Sequence, residues 1–211
     1  MPIGAYSILD NLLPAIRDGE RNDGAIILGF KKMDNSSKVF KNLLKIQAQI
    51  YQGKTPCQID SGLYFDLPQL PEDDPNFFRL LLAKYDYYLD IEDNDNALKI
   101  SERLLGLEEY FSPLYNLVAK ANAFYNSCAI SYNEDTADDL LYEIEDYLNK
   151  NKSITNLRIK AAYVLFVEKD KELFNDFYKK GIKDCSSFYI KGVGEFERKM
   201  FERLKKTSLE D

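Results

Sequence analysis

The sequence contains no histidine, the side chain that most often transfers protons near neutral pH. Without histidine, the chain cannot form a Ser-His or Cys-His nucleophile pair or an H-E-x-x-H zinc motif. The phosphate-binding pattern G-x-x-x-x-G-K-[ST] is absent as well. These absences exclude the common hydrolase and nucleotide-binding sites from this chain, so we do not expect an enzyme.

Paired carboxylates offer one remaining route to acid–base catalysis, if one member is buried. The adjacent aspartates are Asp73-Asp74 and Asp138-Asp139. We predict both pairs at helix starts, where aspartate is favoured by free backbone amides and the helix dipole. Helix capping is therefore the preferred interpretation, and a stand-alone carboxylate hydrolase is the third hypothesis.

Cysteine is scarce and long apolar runs are lacking. Cys57, Cys128 and Cys185 are odd in number, widely separated and outside any C-x-x-C pair, which is typical of reduced thiols in a cytosolic protein. No apolar run approaches the roughly 20 residues of a membrane helix, and the N-terminus lacks a signal-peptide pattern. We expect a cytoplasmic location and no membrane span in this chain.

An excess of positive charge is also lacking, since the formal net charge is −7. This balance argues against nucleic acid as a partner, because phosphate binding needs clustered lysine and arginine. Residues 61–150 hold most of the negative charge, with 6 basic and 19 acidic side chains. We interpret them as solvated helix faces, with attraction of a protein partner as the alternative.

Helical periodicity is the main pattern that is present. Apolar residues at three- and four-residue steps predict a helix from Ser36, as N-cap, to Gly53, as C-cap. Prolines then indicate an extended connector. We divide the chain into an N-terminal helical segment (1–59), a proline-rich connector (60–75) and helical hairpins (76–206). Ser112 and Ser153 are predicted N-caps within the hairpins.

A short pattern recurs in the hairpin region, as "AKYDYYL" (83–89), "AKANAFY" (119–125) and "IKAAYVL" (159–165). It aligns three lysines at separations of 36 and 40 residues. A helix–turn–helix unit of this period is typical of tetratricopeptide-like arrays. We therefore predict an all-α, helical hairpin (tetratricopeptide-like) array with a short N-terminal helical segment.

The last predicted helix carries an apolar stripe of Phe196, Met200 and Leu204. The pairs Glu195–Lys199 and Glu202–Lys206, four residues apart, would support it on the exposed side.

The first helix of each hairpin carries the candidate peptide-binding residues. First helices line the concave surface of such arrays, where aromatic rings could hold a peptide and lysines could meet its acidic groups. The alternative is that the rings form core between repeats and the lysines are solvated. We expect protein or peptide segments as partners and no cofactor for this chain. The candidates are Lys84, Tyr85, Tyr88, Lys120, Phe124, Lys160 and Tyr163.

The stretch "NLLPAIRDGERNDGAI" (11–26) combines Asn-x-x-Pro with two Asp-Gly steps. It resembles the Asn-x-x-Pro…Asp-Gly segment of membrane-embedded zinc metallopeptidases of the site-2-protease type. Later stretches are similar to the cytosolic tail of a subset of bacterial members. These are "NDGAIILGFKK", "VFKNLLKIQAQIYQGKTP" and "VLFVEKDKELF". The resemblance extends over most of the chain, and the Asn-Pro-Asp-Gly cluster is its one motif-like part.

The resemblance implies a conditional role for one aspartate. In that family the aspartate of the motif is the third zinc ligand, beside two histidines of an H-E-x-x-H helix. Asp23 is the first choice, because an apolar helix follows it directly, and Asp18 is the second. Because this chain has no histidine, zinc is expected only in a longer parent protein. In the isolated chain we interpret Asp23 as a helix cap.

Two hypotheses about function therefore remain alongside the carboxylate hydrolase. The chain is a non-catalytic, protein-binding region at the cytosolic face of a membrane zinc metallopeptidase. Alternatively, it is a free-standing tetratricopeptide-like adaptor with no peptidase role.

Overall fold

The computed structural model of the protein describes residues 16–17, 20–21, 23–32 and 34–210. A two-residue antiparallel ladder joins β1 (Ile16–Arg17) to β2 (Glu20–Arg21). The other regular elements of the described ranges are helices, which confirms the all-α helical hairpin array. None of these helices is both long and apolar enough to cross a lipid bilayer.

The N-terminal segment contributes α1 (Asp23–Lys32) and α2 (Asn35–Tyr51). Asp34, rather than the expected Ser36, caps α2, because its Oδ1 accepts a 2.7 Å hydrogen bond from the Ser37 amide. Gly53 adopts φ +102°, a left-handed conformation that favours glycine after a helix end. The predicted end of this helix is thereby confirmed.

The connector is not extended throughout. A 3₁₀ turn (Pro56–Gln58) directly precedes it, and a one-turn helix, α3 (Gly62–Phe65), lies within it. Burial explains the turn, because Tyr64 is enclosed beside Tyr87, with 5.1 Å between ring centroids, and its hydroxyl donates to the Pro56 carbonyl. Contacts of this kind are set by the tertiary structure, and proline content alone does not reveal them.

Three helical hairpins follow within residues 75–187. We call α4, α6 and α8 the first helices and α5, α7 and α9 the second helices. Each first helix packs on its own second helix. The hairpins are α4 (Pro75–Asp90) with α5 (Asn94–Leu105), α6 (Pro113–Ala129) with α7 (Glu134–Lys150), and α8 (Ile154–Phe166) with α9 (Lys171–Ser187).

The helix starts follow the sequence in part. Asp74, Ser112 and Ser153 occupy the N-cap positions of the first helices, as predicted. The expectation for Asp138-Asp139 is wrong, because both lie inside α7, whose N-cap is Asn133. The Asn133 carboxamide accepts a hydrogen bond from the Thr136 amide and so takes the capping role.

The last helix, α10 (Lys191–Glu210), packs against α8, α9 and α2, and its Lys199 and Arg203 side chains reach α4. One cavity beneath it is lined by residues of α4, α6, α8 and α10. Phe196, Met200 and Leu204 are buried, as the apolar stripe predicts. Part of the first-helix surface, where we expect a peptide to bind, is therefore covered by the chain's own last helix.

The ion pairs on α10 differ from the predicted ones. Arg198 takes both Glu195 and Glu202 as partners. Lys199 instead reaches across to Asp90 on α4, with 3.0 Å between Nζ and Oδ1. Partners supplied by other elements thus compete with the four-residue spacing within one helix.

Candidate functional site

Tyr85 and Phe124, two predicted peptide-binding residues, lie in the core. Their exposed fractions are 1% and 0%. The Tyr85 hydroxyl donates a 2.7 Å hydrogen bond to Oδ1 of Asn126 on the neighbouring first helix. Their placement matches the alternative interpretation, in which these rings form core between repeats.

Lys84 and Tyr88 lie beside the connector. The Lys84 ammonium stands 5.3 Å from the centroid of the Phe65 ring, and the Tyr88 ring is 5.7 Å from the same ring. Burial lowers the pKa of Lys84. These two residues therefore pack against α3 and do not share a surface with Lys160.

Lys120 of α6 links its own hairpin to the turn that precedes it. Its ammonium pairs with Glu143 at 2.5 Å and with Glu108 at 3.0 Å. Hydrogen bonds to these carboxylates, that of Glu143 foremost, raise the pKa of Lys120. The three aligned lysines thus have separate local partners and do not form a continuous basic ladder.

Phe124, Lys160 and Tyr163 meet at a groove between α7 and α9. These second helices pack on α6 and α8 respectively, which leaves an opening of about 260 Å³ between them. The Phe124 and Tyr163 rings form its floor, with 5.5 Å between centroids. The structure thus places Lys160 and Tyr163, two of the seven predicted residues, in one solvent-facing groove, with the buried Phe124 ring beneath it.

The groove combines apolar walls with a charged rim. Leu173 and Phe177 of α9 supply one wall, and Leu173 keeps 40% of its surface exposed. Glu145 and Glu168 stand at the rim. Lys160 is the basic group of the lining, and it already donates a 2.8 Å hydrogen bond to Asn149.

A buried ion pair lies between the array and α10, and sequence reasoning missed it. Arg158 and Glu197 have side chains that are 2% exposed, with 2.6 Å between Nε and Oε2. Thr155 donates a second 2.6 Å hydrogen bond to Glu197, and the guanidinium stacks 4.3 Å from the Tyr125 ring centroid. Burial lowers the pKa of Arg158, but the Glu197 carboxylate together with Tyr125 and Tyr85 outweighs it, so the net pKa is raised.

One signal in the sequence could have indicated this pair. Arg158 lies alone among apolar residues in "ITNLRIKAAYVLF". A charge in such a helix requires a partner when the helix is buried. The partner itself, 39 residues away, carries no sequence mark that singles it out from the other glutamates.

A second carboxylate lines the cavity beneath α10. Asp86 of α4 is partly accessible there. Burial raises its pKa to about 7, the Glu197 carboxylate adds to the increase, and Arg158 opposes it. The Asp86 carboxyl group therefore titrates near neutral pH, and its pKa lies well above the usual range for aspartate.

This shift makes stability depend on pH through Asp86. Below about pH 4 the carboxyl is protonated in the folded and unfolded states, so it adds no penalty. Between pH 4 and 7 the unfolded chain loses the proton first, so the free energy of unfolding falls as pH rises. Above pH 7 the penalty is constant.

We predict that Asp86→Asn stabilises the protein at pH 8 and leaves its stability nearly unchanged at pH 4. We expect a gain of about 1 to 2 kcal/mol, less than the full pKa difference because solvent reaches the group. Urea unfolding at both pH values measures it, with the exposed Asp139→Asn as control. An equal effect of Asp86→Asn at both pH values would contradict a raised pKa of Asp86 in the folded protein.

A polar cluster near the connector anchors α10 at its other side. Asp90 accepts hydrogen bonds from the Cys57 amide at 2.8 Å and from the Lys199 ammonium at 3.0 Å. Burial, followed by the hydrogen bond to Asp90, raises the pKa of the Cys57 thiol. The thiol is therefore held in its protonated form and is a poor nucleophile.

Of the two predicted zinc ligands, the structure describes only one. Asp18 lies outside the described residues. Asp23 is the first residue of α1, and its side chain is not described. Among the side chains that are described, no group of three or more cysteine, aspartate and glutamate residues is placed to hold a metal ion.

Comparison with models of protein families, with curated proteins and with solved structures gives no match for this chain. The fold and the groove define a class, an all-α array of helical hairpins whose last helix packs on the third hairpin and covers part of the first helices. Function therefore has to be argued from the groove and the cavity themselves.

Proposed function

We propose that the chain is a protein-binding module that docks a basic, apolar segment of a partner in the groove between α7 and α9. The observation that supports it is the groove itself, in which Tyr163, Phe177 and Leu173 remain in contact with solvent between two second helices. Exposed apolar clusters framed by polar residues are typical of protein interaction sites.

The charge on the α7 side of the groove favours a basic partner. Glu145 and Glu168 stand at the rim, and the Lys160 ammonium is engaged by Asn149. The helix that forms one wall has a strongly acidic surface, which attracts a basic segment and speeds its association. Its acidic residues are Glu134, Asp135, Asp138, Asp139, Glu143, Glu145 and Asp146.

The cover of the first helices by α10 also favours binding elsewhere on the array. Peptide capture by the first helices would require removal of α10, with its buried stripe and the Arg158–Glu197 pair. The groove between α7 and α9 requires no such rearrangement. A partner can insert an aliphatic side chain over Tyr163 while its basic groups meet the rim.

The test is a matched pair of leucine substitutions. Peptides selected from a random displayed library on the wild-type protein are synthesised, and their dissociation constants are measured by fluorescence anisotropy. We expect basic and apolar sequences, and we expect Leu173→Asp to weaken binding about tenfold or more. Leu114→Asp is the control, because Leu114 is 61% exposed and also lies in the first turn of its helix.

Two outcomes would contradict this proposal. One is selection of predominantly acidic peptides. The other is equal binding by the wild type and Leu173→Asp, with both variants folded as judged by circular dichroism.

We further propose, as the setting of this module, a membrane zinc peptidase of the site-2-protease type. The sequence cluster from Asn11 to Asp23 supports it, and α1 begins at the Asp-Gly step of that cluster. Zinc would then be bound by a longer parent through histidines that this chain lacks. A reading frame upstream of Met1 that encodes H-E-x-x-H would support this setting, and a stop codon directly upstream would favour the free-standing adaptor.

A further inference from the structure

The cavity beneath α10 differs in character from the groove. Its volume is about 190 Å³, and it lies where α4, α6 and α8 face α10. Leu82, Val118 and Phe196 contribute apolar walls. Four polar side chains share the same space, namely Asp86, Asn122, Thr155 and Glu197.

Two of these polar groups are already satisfied. Glu197 accepts hydrogen bonds from Arg158 and from Thr155, each at 2.6 Å. Thr155 uses its hydroxyl proton in that bond. Neither side chain requires a further partner, so they frame the cavity, and the charge of Glu197 is balanced by Arg158.

The other two groups have no such partners. Asn122 is only 8% exposed, and its side-chain amide has no hydrogen bond to any group in the described part of the chain. The Asp86 carboxylate likewise has no hydrogen bond or ion pair among the described residues, although it faces the same space. Asn122 is largely buried and Asp86 is partly exposed, and both side chains face the same open cavity, where a ligand that carries hydrogen-bond donors can bind them.

We propose that this cavity binds a small primary ammonium compound with a short apolar body. The ammonium donates hydrogen bonds to the Asp86 carboxylate and to the side-chain carbonyl oxygen (Oδ1) of Asn122. The apolar body lies against Leu82, Val118 and Phe196. A neutral compound leaves the Asp86 charge without a counter-charge, and an anionic compound is repelled by it, because the nearby Arg158 guanidinium is already paired with Glu197.

The volume limits the size of the ligand. An apolar cavity of about 150 Å³ holds benzene, which has six carbon atoms. A cavity of about 190 Å³ therefore holds an ammonium head with roughly five carbons. n-Pentylammonium matches this size and charge, and n-pentanol matches its shape without the charge.

The experiment compares n-pentylammonium chloride with n-pentanol on the full chain at pH 8. The melting temperature is followed by circular dichroism, and sodium chloride at equal concentration controls for ionic strength. We expect n-pentylammonium to raise the melting temperature in a saturable way, as a ligand of the folded state does. We expect no comparable increase with n-pentanol or sodium chloride.

Variants assign the effect to the cavity. Asp86→Asn removes the charge and should weaken n-pentylammonium binding about tenfold or more, whereas Asp139→Asn, on the exposed face of α7, should leave it unchanged. Asn122→Ala removes the second hydrogen-bond acceptor for the ammonium and should also weaken n-pentylammonium binding. The proposal is overturned if n-pentylammonium gives no saturable increase, if n-pentanol gives an equal one, or if both cavity variants bind as the wild type does.

Discussion

Replacing Glu197 by alanine is expected to lower the free energy of unfolding by about 3 to 5 kcal/mol. The substitution leaves the Arg158 guanidinium charged and buried, since its side chain is 2% exposed. It also removes the acceptor of the Thr155 hydroxyl. A small domain is typically stable by only 5 to 15 kcal/mol, so this single change uses a large share of the total.

Two further variants separate the cost of an unpaired charge from the value of the pair. Replacing Arg158 and Glu197 together by methionine should restore most of the lost stability, because no buried charge is then unpaired. Glu195→Ala is the control on the same helix, and its loss should stay below about 1 kcal/mol because its partner Arg198 is exposed.

Urea unfolding followed by far-ultraviolet circular dichroism measures these free energies. A Glu197→Ala loss no larger than that of Glu195→Ala would contradict the account of a dry, buried ion pair. A double variant that is less stable than Glu197→Ala would contradict the explanation that the loss of stability comes from an unpaired buried charge.

Replacing Gly192 by alanine is expected to destabilise the protein by about 2 to 3 kcal/mol. A Cβ atom at this position would overlap the carbonyl oxygens of Ile50 and Lys54, which are backbone atoms at the end of α2. Because backbone cannot turn away as a side chain can, α10 would have to shift relative to α2. The contact between these two helices joins the N-terminal segment to the last helix.

Gly106→Ala is the matched control. Gly106 follows α5 in a right-handed conformation, and the nearest atom to an added Cβ is the Arg103 carbonyl oxygen at 3.5 Å, an ordinary contact. We expect no loss there, or a gain of up to about 1 kcal/mol. Thermal and urea unfolding compare the two variants, and equal stability of both would show that α10 does not approach α2 closely.

The candidate site could be predicted only in part. Lys160 and Tyr163 were selected from the repeat, and they do share a solvent-facing groove, although it opens between second helices. Tyr85 belongs to the same pattern but is buried. The pattern indicates where a residue lies along its helix, but it does not indicate which neighbouring helix covers the side chain. Asp86 was not selected, since an aspartate inside an apolar helix shows its importance only when the surrounding cavity is known.

The sequence by itself determined the helices, most of their ends and the hairpin period. Those properties depend on residues a few positions apart, such as the serine at the N-cap of α8 or Gly53 after α2. The apolar stripe of α10 was also evident from spacing, but a stripe states only that a surface must be buried.

Only the tertiary structure decided which surface buries it. The stripe of α10 packs on the third hairpin and on α2 because Arg158 and Glu197 pair there and because Gly192 lets the helix approach α2. These contacts join residues 39 and more than 100 positions apart, and no local pattern encodes them. This packing of α10 leaves the groove between α7 and α9 open and encloses Asp86 and Asn122 in a cavity.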